Sequence, residues 1–129
     1  IRRLQQTGAL AQFFAIFFPP RQEAYMETFA SDEAYFECLY KIFENTLQKY
    51  PEQVLFAGSA EDIQKNHEKN CLSAFLTLED GRIIDGKLEN IQKFYDKGVR
   101  LITLTWNFEN CFGFPNSGII KKQQTKLQL

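Results

Sequence analysis

The feature that most constrains this chain is the run Leu10-Ala11-Gln12-Phe13-Phe14-Ala15-Ile16-Phe17-Phe18, which is apolar at every position but one. A strand with one wet face alternates apolar and polar side chains. A run without that alternation reads as a strand buried on both faces, the usual condition of a parallel sheet. Pro19-Pro20 ends it. Two later runs have the same character, Leu72-Ser73-Ala74-Phe75-Leu76-Thr77-Leu78 and residues 99–105. Val54-Leu55-Phe56-Ala57 reads as a minor strand.

Helical patterns separate these runs. Tyr25, Phe29, Phe36, Tyr40, Phe43, Leu47 and Tyr50 recur at intervals of three, four or seven, which predicts a long amphipathic stretch over 22–50. Ser31-Asp32 is a possible break, with Ser or Asp capping a second helix. Glu23, Glu27, Glu33, Glu37 and Glu44 form its wet face, and Pro51 stops it. Ser59-Ala60-Glu61-Asp62 resembles a capping box opening a short polar helix. Asp85 is the expected N-cap of the next helix, with Leu88, Ile91 and Tyr95 as its buried stripe and Gly98 closing it. Strands alternating with helices predict an α/β fold with a parallel sheet. Ligand-contacting groups in such sheets lie just beyond the carboxyl ends of the strands. That rule picks out Pro19-Pro20, Glu79-Asp80 and residues 106–110.

The 129 residues fit one domain at most. Fifteen basic residues against sixteen acidic ones give a net charge of -1, so no broad basic field exists to hold nucleic acid. The apolar stretch at 9–18 is too short to span a membrane, and no small-residue cleavage site follows it. The opening Ile1 reads as a processed or truncated start. Cys38, Cys71 and Cys111 lack the spacing of zinc or redox pairs. Their odd number points to a reducing compartment, and the expected location is cytoplasmic.

Each candidate site residue has a plain alternative. Glu79 follows a buried strand, where an acid can bind a metal, cap a turn or pair with Arg82. Trp106 and Asn107 suit a pocket wall with a polar anchor, or a packed loop. His67, the sole histidine, lies in a polar helix and reads as a surface residue.

Together these stretches resemble the membrane (renal) dipeptidase family. Gly8-Ala9-Leu10-Ala11-Gln12-Phe13 is similar to the family's strand with its Gly and Gln-Phe. Leu76-Thr77-Leu78-Glu79-Asp80-Gly81 is similar to its Glu-Gly-Gly or Glu-Asp-Gly turn. Residues 95–105, Tyr95-Asp96-Lys97-Gly98-Val99-Arg100-Leu101-Ile102-Thr103-Leu104-Thr105, carry the most specific match, and Trp106-Asn107 with Asn110 resembles the bacterial branch.

The resemblance implies a (β/α)8 TIM barrel with parallel strands and outer helices, here partial and incomplete at both ends. It covers residues 1–117, and 118–129 are expected to depart from the family. It also implies hydrolysis of dipeptides by two zinc ions. Glu79 falls at the carboxylate that bridges them, and Trp106 and Asn107 fall at the substrate wall, with Trp106 where the family has a substrate-contacting histidine. No catalytic residue is assigned. The family's other metal ligands fall outside this sequence, so the chain alone is expected to be inactive and prone to self-association. The competing reading is a small α/β binding or interaction module without catalysis.

Overall fold

The computed structural model describes residues 1–20 and 27–115. The elements are α1 (Arg2–Gln6), β1 (Ala11–Phe17), α2 (Asp32–Lys49), β2 (Val54–Phe56), α3 (Ala60–Glu68), β3 (Leu72–Glu79), a 3-10 turn (Gly81–Ile84), α4 (Leu88–Asp96) and β4 (Val99–Thr103). Tyr25, Glu23 and the expected boundary at 117 lie outside the described residues.

All strand pairing in the sheet is parallel, as the unbroken apolar runs require. β1 lies along β3 from Ala11↔Ser73 to Phe17↔Glu79. β2 pairs the first half of β3, from Val54↔Leu72 to Phe56↔Ala74. β4 pairs the second half, from Leu76↔Val99 to Glu79↔Thr103. Since β1 takes one edge of β3, β2 and β4 lie end to end along the other.

Arg100 secures the joint between them. Leu76 pairs Val99 but Thr77 pairs Leu101, so Arg100 is the extra residue of a bulge. Its Nε donates to the Gly58 carbonyl (3.1 Å) and its Nη1 to the carbonyls of Tyr95 (2.8 Å) and Val99 (2.9 Å). The guanidinium also lies 3.9 Å from the centre of the Tyr95 ring, a cation–π contact. One side chain thus ties the segment after β2 to the start of β4.

The register assigns the two faces of the sheet. Leu72, Ala74, Leu76 and Leu78 share a face with Phe14, Ile16, Val54 and Val99, and form the core with Phe36 and Phe43 of α2 and Phe94 of α4. Phe36 meets Phe94 edge-on at 4.8 Å, and Phe14 meets Phe43 at 5.7 Å. α2 begins where Ser31 accepts a hydrogen bond from the Ala34 N–H (3.1 Å), so the possible break at Ser31-Asp32 is real. Ser59 likewise caps α3, accepting from the Asp62 N–H.

On the other face, α3 covers only the amino end. Its buried Asn66 donates to Ser73 Oγ and to the Phe56 carbonyl, both at 3.1 Å. Towards the carboxyl end this face opens. Phe13, paired with the Phe75 ring at 5.7 Å, is 58% exposed, and Leu101 is 43% exposed. His67 is exposed, as expected. No described helix is long and apolar enough to cross a membrane.

The expected architecture of α4 needs two corrections. Asp85 does not cap it. Asp85 is left-handed (φ 55°) and closes the preceding 3-10 turn, and α4 starts three residues later, at Leu88, with no side-chain cap. Nor do Leu88, Ile91 and Tyr95 form its buried stripe: all three are exposed, and Phe94 is buried. The inward side of α4 is one aromatic flanked by long polar residues whose stems pack while their heads reach out. Lys97 Nζ lies 5.0 Å from the Tyr40 ring centre and pairs with Glu37 at 2.9 Å. Lys93 pairs with Glu33, and that bond holds the Glu33 carboxyl below its usual pKa. A search for apolar periodicity passes over such a face. Phe94→Ala should therefore destabilise the fold by about 3–5 kcal/mol, whereas Leu88→Ala should change it by less than about 0.5 kcal/mol, both read from urea unfolding midpoints.

Candidate functional site

The carboxyl ends of β1, β3 and β4 come together at one rim. Glu79 ends β3. The register sets its side chain beside Phe17 and Thr103, on the open face, and its carbonyl accepts from the Phe18 N–H at 3.1 Å. Trp106 packs edge-on against Phe17, ring centres 4.8 Å apart, with Phe108 at 6.3 Å. Phe17 is the cross-strand neighbour of Glu79, so the structure brings Glu79 and Trp106 to the same rim. Asn107 follows on that loop and is exposed.

Beneath the rim runs a polar relay that sequence reasoning missed. Asp80, 1% exposed and at φ 79°, turns its carboxylate inward. Its Oδ1 accepts from the Arg82 N–H (3.0 Å) and from Asn110 Nδ2 (2.7 Å). Arg82 grips Asp32 with two parallel bonds, Nε to Oδ2 at 3.1 Å and Nη2 to Oδ1 at 3.0 Å. Its guanidinium also lies 5.4 Å from the Phe18 ring centre and 3.9 Å from Asp80. Arg82 therefore pairs with Asp32 and Asp80, whereas the sequence had offered Glu79 as its partner. Asp32 carried a signal only as a helix cap; its burial depends on an arginine fifty residues away in sequence.

Gly81 is needed here for space. A Cβ on it would sit 2.7 Å from the Phe112 ring and 3.1 Å from the Leu104 carbonyl. The loop after β4 thus closes directly onto the turn after β3, and the Gly81 N–H donates to that same carbonyl at 3.3 Å.

Among the described residues, no three His, Cys, Asp or Glu side chains come together so as to hold an ion. Glu79 is one carboxylate, and Asp80 is committed to Arg82 and Asn110. A zinc site takes three or four protein donors, so the described residues do not fit a two-zinc centre.

The sequence pattern of the membrane dipeptidase family, peptidase family M19, matches residues 1–126. This chain belongs to that family. The match runs into the stretch 118–129, which lies outside the described residues. A curated relative, the uncharacterized protein in the PQQ-III 3′ region of Acinetobacter calcoaceticus, is 25% identical over 91% of this chain and 43% of its own length. Among solved structures, an M19 metallopeptidase, the dipeptidase AC, superposes with a TM-score of 0.68 at 17% identity, over 92% of this chain and 39% of that one. An amidohydrolase from Pseudomonas aeruginosa gives 0.67 at 13% identity, over 91% and 35%. The probable dipeptidase PvdM from the same organism gives 0.57 at 24% identity, over 62% and 20%.

The chain therefore spans well under half the length of these relatives. Its sheet and helices correspond to part of a TIM barrel, as expected from the resemblance. Two substitutions probe the relay beneath the rim. Arg82→Met should cost about 3–5 kcal/mol, because it leaves Asp32 and Asp80 buried without their cation. Gly81→Ala should cost about 1–3 kcal/mol, by forcing the Phe112 ring away. Guanidinium unfolding curves of both variants measure these losses.

Proposed function

We propose that this chain supplies part of the barrel of a zinc-dependent dipeptidase, with Glu79 as its contribution to the metal centre and Trp106 and Asn107 as a wall against the dipeptide. The observation that carries this is the family match over residues 1–126, which falls on a fold that sets Glu79 and Trp106 at one strand-end rim. Zinc is the metal the resemblance implies. With one donor of its own at the rim, the chain alone is inactive, and the remaining ligands come from protein outside the described residues. A reducing, cytoplasmic setting is part of the proposal, on the strength of three cysteines that stay unpaired in the fold.

The test is a dipeptide hydrolysis assay with added zinc, run beside zinc calorimetry. The isolated chain should show neither turnover nor stoichiometric tight binding. Tight binding that disappears in Glu79→Gln would mean that further ligands exist within these 129 residues.

A second reading, an interaction module without catalysis, is favoured by the open face around Phe13 and Leu101. Each large apolar side chain left wet forgoes about 1.5–3 kcal/mol, which drives association. Sedimentation at several concentrations should show self-association that weakens in Phe13→Ser. A monomer at all concentrations would remove this reading.

A further inference from the structure

Asn110 makes several of the bonds that hold the loop carrying Trp106 and Asn107. It uses both donor hydrogens of its amide, and its amide oxygen, within a few residues of the rim. One Nδ2 hydrogen goes to Asp80 Oδ1 and the other to the Leu104 carbonyl, both at 2.7 Å. Its Oδ1 accepts from the Phe112 N–H at 2.9 Å. Its backbone exchanges bonds with Gly113, at 3.1 and 3.2 Å. The loop is thereby closed on itself from 104 to 113 and docked onto the buried carboxylate that follows Glu79. Asp80 in turn is held by the Arg82 N–H, and Arg82 is held by Asp32 at the start of α2.

We propose that Asn110 is a positioning residue, which acts through Asp80 to seat Trp106 and Asn107 at the rim beside Glu79. Its functional sense rests on the reading of those two residues as the substrate wall. Where the loop is held does not depend on that reading. An amide is the side chain that the place demands: it must donate to Asp80 and Leu104 and accept from Phe112 at once. Aspartate has the same shape and lacks the two donors, so at 110 it would set a second carboxylate against Asp80.

Trp106 is the chain's only tryptophan, so its fluorescence reports this loop alone. The experiment is acrylamide quenching of the full 129-residue chain in native buffer, with circular dichroism to confirm folding. No metal or dipeptide is added, so failure of the dipeptidase reading would appear only in the hydrolysis and zinc assays. Losing one hydrogen bond to a charged group shifts the docked population of the loop by roughly tenfold. Asn110→Asp should raise the quenching constant towards that of the urea-unfolded chain, and Asn110→Ser should raise it less. Val54→Ala, a core deletion at the opposite end of the sheet, should leave it unchanged. If Asn110→Asp does not fold, Asn110→Ser decides. Wild-type quenching in folded Asn110→Ser would overturn the proposal. So would an equal rise in Val54→Ala, because the effect would then be general loosening.

Discussion

β3 has hydrogen-bonded neighbours along both edges, and the other elements take their places from it. Its even-numbered residues Leu72, Ala74, Leu76 and Leu78 meet the aromatic side chains of α2 and α4. Its odd-numbered residues point to the face that α3 covers at one end only. A strand in this position cannot slip by one residue without exchanging its two faces. The register with β1 is therefore fixed by burial as well as by the ladder. Because β3 ends at Glu79, the rim is also fixed: the turn after it, the loop after β4 and the first turn of α2 all converge on Asp80 and Arg82.

The strands were legible in the sequence because a run of apolar residues bounded by turn signals has few other solutions. So were Ser31 and Ser59 as caps and Gly98 as a helix stop, since these are local choices made by one backbone turn. α4 was misread for a physical reason. Its apolar residues Leu88, Ile91 and Tyr95 lie on one side, and its buried side is Phe94 among lysine stems. Periodicity counts side-chain type, whereas burial follows what the neighbouring helix offers, here Phe36, Tyr40 and two acids. The polar relay escaped for a related reason. Asp32, Asp80, Arg82 and Asn110 are ordinary residues of turns and caps, and only the fold brings them together. Glu79 and Trp106, by contrast, were placed at one rim by the rule that loops at strand carboxyl ends converge.

The two faces of the sheet differ in completeness. The helix side is packed by Phe36 and Phe43 of α2 and Phe94 of α4. On the other side Phe13 and Leu101 are exposed, and among the described residues no strand pairs the second edge of β1. In the longer relatives that superpose on this chain, more than half of the structure lies beyond the matched part. A barrel interior is filled from several strands at once, so a sheet that supplies only part of them leaves its inward layer partly built. Phe13 and Leu101 are the large apolar side chains exposed on this face.

With no strand among the described residues on its second edge, β1 has two populations of amide. The Ser73 N–H donates to the Leu10 carbonyl and the Phe18 N–H to the Glu79 carbonyl, so even-numbered residues turn their backbone towards β3. The N–H groups of Ala11, Phe13, Ala15 and Phe17 point the opposite way, along the edge. In deuterated water the two sets separate by solvent access alone. Gln12, Phe14 and Ile16 give up their protons only when the ladder opens, whereas their immediate neighbours exchange from the intact fold. Isotope uptake along this one strand would be a comb with a spacing of two residues. Any protein that came to lie against the edge would erase its teeth.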